Sequence, residues 1–191
     1  MTHEVRRIAV TGGPGAGKTT LWRALSQEYA RELVAVPEVA TLMFQHVFPQ
    51  VCCVSEREAV QRAIFAVQKQ LESFHEARLA PGQVLLCDRG TPDGGGYWPS
   101  GHDDFFRSLD TSHDQELDRY DAVLFMESAA LGGLSIAQGN HVRTEDLATA
   151  VEVDRRLRDV WQGHPRFVHV PHERDFGVKI ARGIEALKRM L

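Results

Sequence analysis

Residues 12–19 read Gly-Gly-Pro-Gly-Ala-Gly-Lys-Thr, which completes the pattern G-x-x-x-x-G-K-[ST]. The apolar run 7–11 before this stretch predicts a strand, and the apolar spacing of Leu21, Trp22 and Leu25 after it predicts a helix. Glycines in such a turn let successive backbone N–H groups point into one concavity, where the N-terminus of the helix also favours an anion. The stretch therefore predicts a phosphate-binding loop, and a glycine-rich turn without a ligand is the alternative.

The residues of this loop divide into backbone and side-chain roles. Lys18 supplies a mobile positive charge for the β- and γ-phosphates, and the hydroxyl of Thr19 is a ligand for Mg²⁺. The predicted nucleotide contacts are Gly13, Pro14, Gly15, Ala16, Gly17, Lys18, Thr19 and Thr20. The cofactors implied are Mg²⁺ with ATP or GTP, since the loop does not distinguish adenine from guanine.

Short apolar runs alternate with helical patterns along the chain. The runs cover residues 7–11, 33–36, 84–87, 122–126 and 167–170. Most are apolar throughout, as in parallel strands that are buried on both faces. This alternation predicts one α/β domain over residues 1–191, with a parallel sheet covered by helices. Within it, the apolar stripe Val60, Ile64, Val67, Leu71 and Phe74 predicts the buried face of a long helix.

Charged residues follow three of these runs, at the sheet edge where open α/β folds bind ligands. Asp88 closes the third run and is the expected second contact for Mg²⁺. Arg89 is a planar donor suited to orienting a phosphate or an acceptor. Glu38 closes the second run, where it could accept the proton of an acceptor hydroxyl or reach Mg²⁺ through water. Alternatively, Glu38 caps the helix that follows it.

Two glycine-rich stretches, 90–101 and 129–141, follow strands and are candidate functional loops. In the first, Asp93, Tyr97 and Trp98 suit contact with a flat acceptor ring, although Trp98 could instead anchor the loop on the core. The second predicts a flexible lid at about 128–145. Its Arg143 is the expected residue that closes over the transferring phosphoryl group.

Composition excludes several classes of function. Twenty-two basic and 26 acidic side chains give a net charge of −4, whereas a domain that binds nucleic acid is usually basic. No apolar run approaches the length of about 18 residues that a membrane span needs. Three cysteines without disulfide or zinc spacing fit a reducing compartment. We therefore expect a cytoplasmic protein that binds small molecules, with neither nucleic acid nor membrane as partner, and a homodimer is left open.

The order of loop 12–19, Pro37-Glu38, Asp88-Arg89-Gly90 and a late arginine resembles the P-loop kinases of small metabolites, which include nucleoside, thymidylate and nicotinamide riboside kinases. More closely, the chain resembles the AAA-type ATPase/kinase-like proteins grouped with the nicotinamide riboside kinase domain. The resemblance runs from about residue 6 to residue 188. It implies a three-layer P-loop NTPase fold whose five-stranded parallel sheet has the order 2-3-1-4-5.

The resemblance also implies roles for individual residues. Glu38 corresponds to the base for the acceptor hydroxyl, and Arg89 to the arginine beside the acidic residue of the third strand. The loop after the last strand passes the nucleotide base, so Arg174 and Phe176 are expected to contact a purine, unless Phe176 is simply part of the core. Deoxynucleoside kinases tend to carry Glu-Arg-Ser where this chain has Asp88-Arg89-Gly90, so the acceptor need not be a nucleoside.

Together these patterns predict a Mg²⁺-dependent kinase that acts on a small metabolite such as a nucleoside or cofactor precursor. The alternative is a P-loop ATPase or GTPase that acts as a nucleotide-dependent regulatory or binding protein. The sequence contains no Asn-Lys-x-Asp guanine-binding motif, which argues against a regulatory GTPase. A chain of 191 residues with one sheet also lacks room for the extra helical domain of ring-forming AAA+ machines.

Overall fold

A computed structural model describes residues 6–48, 51–133 and 146–191. Its centre is a parallel sheet of five strands in the order β2-β3-β1-β4-β5, as predicted. The strands are β1 (Arg6–Thr11), β2 (Leu33–Val36), β3 (Val84–Asp88), β4 (Ala122–Met126) and β5 (Phe167–Val170). Val10 of β1 pairs with Asp88 on one side and Leu124 on the other, so the carboxyl ends of the three central strands share one edge.

Helices connect the strands and cover both faces of the sheet. They are α1 (Lys18–Glu28), α2 (Val39–His46), α3 (Val54–Glu76), α4 (Asp93–Tyr97), α5 (His102–Arg107), α6 (His113–Leu117), α7 (Leu147–Trp161) and α8 (Phe176–Lys188). A 3₁₀ turn, Ala129–Gly132, follows β4. The rest of the predicted lid, residues 134–145, lies outside the described residues, and so does Arg143.

Alternating side chains of the strands pack into two separate cores. Ile8 and Val10 face α1 and α8, where they meet Leu21 and Leu187. Ala9, between them, faces the opposite layer with Phe65 of α3 and Trp161 of α7. The strands are apolar throughout because both faces are covered, which confirms the three-layer architecture.

The stretch 90–101 differs from the predicted irregular loop because it contains α4. Glycine is a poor helix former, but three successive glycines of α4 are fully enclosed. A Cβ on Gly94 would lie 2.4 Å from the ring of Phe105, and a Cβ on Gly96 would lie 2.7 Å from Leu157. The glycines therefore allow α4 to pack closely between α5 and α7, and this packing stabilises the helix.

The longest described helix, α3, carries charged residues along its length. Within the described residues, no helix is both long and apolar enough to cross a membrane.

Candidate functional site

The loop between β1 and α1 depends on glycine at several positions, Gly12 and Gly17 among them. Gly12 has φ 134°, and a Cβ there would lie 1.9 Å from the carbonyl oxygen of Met126. Gly17 has φ 87° and precedes the first turn of α1. Both values lie in the left-handed region that L side chains rarely adopt. Lys18 is buried, and its Nζ donates to the carbonyl oxygen of Gly13 at 2.8 Å, which holds the lysine against the loop.

The loop is anchored from behind by α7, a contact that the sequence did not reveal. Oδ1 of Asp154 accepts the backbone N–H groups of Gly13 at 2.8 Å and of Ser128 at 2.9 Å. The Ser128 hydroxyl donates to the carbonyl of Pro14. A Cβ on Gly13 would lie 2.5 Å from Asp154 Oδ1, so this glycine permits the close approach.

Asp88 lies at the end of β3, beside the start of α1. Its Oδ1 is buried without a hydrogen-bond partner in the described part of the chain, and the Thr19 hydroxyl lies close enough to lower the pKa of the carboxyl. Burial, reinforced by the carboxylate of Glu38, raises the pKa of Asp88 to about 6 against the opposing charges of Lys18 and Arg89. An unsatisfied carboxylate oxygen next to a hydroxyl suits a hard cation that takes its remaining ligands from water and phosphate. The residues present therefore fit Mg²⁺ at Thr19 and Asp88.

Arg89 and Glu38 form a buried ion pair next to this edge. Arg89 has φ 75°, a left-handed conformation that is uncommon for a residue with a side chain. Its guanidinium donates from Nε to Glu38, from Nη1 to Asp93 at 2.7 Å, and from Nη2 to the hydroxyl of Tyr97 at 3.0 Å. The guanidinium is therefore held in one orientation.

Glu38 occupies the N-cap position of α2, but its side chain does not cap the helix. One oxygen accepts from Arg89, and the other accepts the hydroxyl of Thr41 at 2.5 Å. Burial raises the pKa of Glu38, but the charges of Arg89 and Lys18 and the two hydrogen bonds outweigh it and bring the pKa to about 2. Glu38 is therefore an ionised hydrogen-bond acceptor at neutral pH.

A cleft of about 870 Å³ opens beside this pair, and Pro14 of the phosphate loop lies on its wall. Glu38, Arg89 and Tyr97 give the cleft a polar side. Its apolar side is formed by residues of α2, α3 and the chain between them, namely Val39, Phe44, Phe48, Val51, Val60, Ile64 and Phe65. The cleft therefore offers both hydrogen bonds and apolar contact to a ligand that lies next to the phosphate loop.

The buried face of α3 differs from the predicted stripe. Val67 and Phe74 are exposed, and the inward face carries Gln61, Phe65, Gln68 and Glu72. Gln61 is 7% exposed and lines the cleft. Sequence reasoning missed this candidate ligand contact because the apolar pattern pointed to a neighbouring face. A glutamine between Val60 and Ile64 was the available signal.

The structure revises the predicted acceptor contacts on α4. Trp98 is fully buried, and its Nε1 donates to Asp104 at 2.8 Å, so it is a core residue and not a surface for the acceptor. Asp93 lines the cleft, but both of its oxygens already accept hydrogen bonds from protein donors. Tyr97 remains at the cleft wall, with its ring 5.4 Å from the guanidinium carbon of Arg89.

Phe176 begins α8 and lies against the phosphate loop. A Cβ on Gly17 would be 2.8 Å from its ring, and Phe176 as a residue is 51% exposed. Phe176 is therefore not a core residue, and its open surface lies at the nucleotide end of the site. Arg174 is exposed in the segment before α8.

Comparisons with known proteins agree with this geometry. Two solved structures of deoxyadenosine kinase from M. mycoides, one with bound dATP and one with the products dCMP and dCDP, superpose with TM-scores of 0.66 and 0.65. In both cases the match covers 96% of this chain and 99% of the other at 15% identity, which shows a shared fold. No curated protein matches the sequence significantly. A family model described as an AAA domain matches residues 7–175, and the chain belongs to that AAA domain family.

Proposed function

We propose that the protein is a Mg²⁺-dependent phosphotransferase. It would transfer the terminal phosphoryl group of ATP or GTP to a hydroxyl of a small metabolite, such as a nucleoside or a cofactor precursor. The observation that carries this proposal is the Glu38–Arg89 pair in a cleft whose wall includes Pro14 of the phosphate loop. This arrangement brings a carboxylate that can accept a hydroxyl proton next to the predicted position of the γ-phosphate.

Each step follows from groups at the site. The loop amides and Lys18 bind the phosphates, and Thr19 and Asp88 would hold Mg²⁺, which neutralises phosphate charge when bound. The acceptor hydroxyl donates to Glu38 while Arg89 holds its orientation. As the new O–P bond forms and the bond to the β-phosphate oxygen breaks, the hydroxyl becomes acidic and its proton passes to Glu38. The nucleoside diphosphate then leaves.

The low pKa of Glu38 agrees with this order of events. A carboxylate with a pKa of about 2 does not remove a proton from a free alcohol, but it orients the hydroxyl and accepts the proton late in the transfer. A loose transition state does not need a stronger base, because catalysis rests on positioning and electrostatics. Gln61, Phe44 and Tyr97 line the cleft, and together they favour an acceptor that carries a flat polar ring.

The test is a mass-spectrometric screen for a phosphorylated product. The purified protein is incubated with ATP and GTP separately, Mg²⁺ and a pooled library of nucleosides and cofactor precursors. Lys18→Ala, which removes the lysine of the loop, is the control. A compound that gains a phosphoryl group only with the unmodified protein would establish the kinase and name its acceptor. Hydrolysis of the nucleotide without any phosphorylated product would favour the regulatory protein instead.

A further inference from the structure

Asp93 begins α4 and is 4% exposed, and its carboxylate joins three elements. The hydroxyl of Thr11, at the end of β1, lies 2.8 and 2.9 Å from the two oxygens. Trp161 of α7 donates from Nε1 to Oδ1 at 2.7 Å, and Arg89 donates from Nη1 to Oδ2 at 2.7 Å. Each oxygen therefore has two hydrogen-bonding neighbours from the protein.

We propose that Asp93 is a positioning residue that fixes the guanidinium of Arg89 at the acceptor end of the cleft and links it to the strand that enters the phosphate loop. Thr11 directly precedes Gly12, so one carboxylate contacts both the entry to the nucleotide loop and the acceptor side of the site. The link to phosphoryl transfer rests on the proposed function, whereas the effect on Arg89 rests on geometry alone.

The need for such an anchor follows from the other partners of Arg89. Glu38 must give part of its hydrogen bonding to the acceptor, and Tyr97 is a neutral partner at 3.0 Å. Asp93 is the charged partner that remains unchanged when an acceptor binds. The left-handed backbone at Arg89 makes this anchoring more important, because an unfavourable conformation persists only where the surroundings over-determine it.

The balance of charge around the guanidinium of Arg89 also depends on Asp93. Two carboxylates, Glu38 and Asp93, share one guanidinium, so neither holds the whole positive charge. Without Asp93, Arg89 can turn toward Glu38 and form a one-to-one pair, which occupies the group that the acceptor hydroxyl needs. All three neighbours of Asp93 offer hydrogen-bond donors. An asparagine at this position would therefore turn its amide N–H₂ toward a donor and lose at least one bond.

The experiment compares Asp93→Asn and Trp161→Phe with Asp104→Asn. The control removes the charge of a similar carboxylate that accepts an indole N–H, that of Trp98, outside the cleft. The first readout is the hydrogen-exchange rate of the Arg89 Nη–H signals in ¹H–¹⁵N spectra, assigned by their loss in Arg89→Lys, because Nη1 is the atom that donates to Asp93. We expect this exchange to be at least tenfold faster in Asp93→Asn, a few-fold faster in Trp161→Phe, and unchanged in Asp104→Asn.

The second readout separates positioning from general damage to the fold. With the acceptor found in the library screen, we expect kcat to fall at least 50-fold in Asp93→Asn. The Kd of a fluorescent, non-hydrolysable ATP analogue should stay within about threefold, since the phosphate contacts remain. A loss of analogue binding as large as the loss of transfer would overturn the proposal.

The two readouts distinguish failure of this inference from failure of the proposed function. If no acceptor is found, the exchange rate of Arg89 still decides whether Asp93 positions it. An unchanged Arg89 signal in a folded Asp93→Asn protein would overturn the inference even if the protein proves to be a kinase. If Asp93→Asn does not fold, Trp161→Phe takes its place, and unchanged exchange in that variant overturns the inference.

Discussion

Glu38 and Asp88 are neighbouring carboxylates whose pKa values move in opposite directions. Burial raises the pKa of Glu38, but the charges of Arg89 and Lys18 and two hydrogen bonds together bring it to about 2, whereas burial and the charge of Glu38 raise that of Asp88 to about 6. Such separation within one site is typical of residues with different roles. The two directions suit the proposed roles, in which Glu38 accepts a hydrogen bond from the acceptor hydroxyl and Asp88 would contact a bound cation.

Replacing Glu38 tests the first of these roles. We expect Glu38→Gln to bind nucleotide with a Kd within about threefold of the unmodified protein and to lose phosphoryl transfer by about 10²–10⁴-fold, the usual contribution of a general base. Titration with a fluorescent ATP analogue and measurement of the phosphorylated product give the two values. Full transfer with a lowered melting temperature would instead make Glu38 a purely structural residue.

Replacing Asp88 tests the second role. Asp88→Asn removes the charge of the buried oxygen that has no partner, so we expect the Mg²⁺ concentration for half-maximal nucleotide turnover to rise by about tenfold or more. Asp103→Asn, at an 81% exposed position on α5, is the matched control and should leave the Mg²⁺ titration unchanged. A titration that is the same for Asp88→Asn would remove this residue from the metal site.

At the scale of elements, α4 depends on close packing and not on helix propensity. Gly94→Ala places a methyl group 2.4 Å from the enclosed ring of Phe105, which we expect to lower the free energy of unfolding by about 1–3 kcal/mol. A Cβ on Gly163, after α7, would meet no atom within 4 Å, so Gly163→Ala should change the free energy of unfolding by less than about 0.5 kcal/mol. Urea unfolding of both variants checks this, and equal stabilities would contradict the packing argument.

The strands and α3 show why some elements are predictable from sequence and others are not. Each strand needs only apolar residues, since layers on both sides exclude water. Such a continuous apolar run is visible in the sequence itself. The inward face of α3 instead carries Gln68 and Glu72, whose burial depends on partners distant in the chain. Glu72 pairs with Arg7, Arg119 and the hydroxyl of Tyr120. No local pattern reveals such partners, so the stripe assigned from sequence was correct at Val60 but wrong at Val67 and Phe74, which are exposed.

The same distinction applies to the site. The phosphate loop, Glu38, Asp88 and Arg89 could be placed together because the ends of parallel strands meet at one edge. Trp98 could not be placed, since a tryptophan beside glycines suits a binding loop and a core equally well. Its burial follows from α5, which encloses the indole and supplies Asp104 as the partner of its N–H.

At the scale of the whole molecule, Lys179 of α8 joins the last helix to the end of β4. It is 2% exposed and donates to the carbonyl oxygen of Glu127. Burial lowers its pKa to about 8, against the opposing charges of Asp154 and Glu127. The unfolded chain has the ordinary value of 10.5, so the folded protein releases this proton first as pH rises. Lys179 therefore contributes stability that increases between about pH 8 and 10.5.

The direction of this pH dependence can be measured by comparing unfolding curves of variants. The free energy of unfolding of the unmodified protein minus that of Lys179→Met should rise by about 1–3 kcal/mol between about pH 8 and 10. Lys188→Met, at an exposed position on the same helix, should show no such rise, because the pKa of Lys188 is raised by Tyr29. A flat difference for Lys179→Met would mean that the ammonium is solvated in the folded state.

The fully buried thiol of Cys87 has a kinetic consequence. Cys87 lies in β3 between two other strands, and burial raises the pKa of its thiol, whereas Cys52 and Cys53 are exposed. A thiol-labelling reagent should therefore modify the exposed pair at once and reach Cys87 only when strands separate. The slow phase of labelling measures how often the sheet opens. Because Asp88 is the next residue, the same opening also dismantles the predicted metal site.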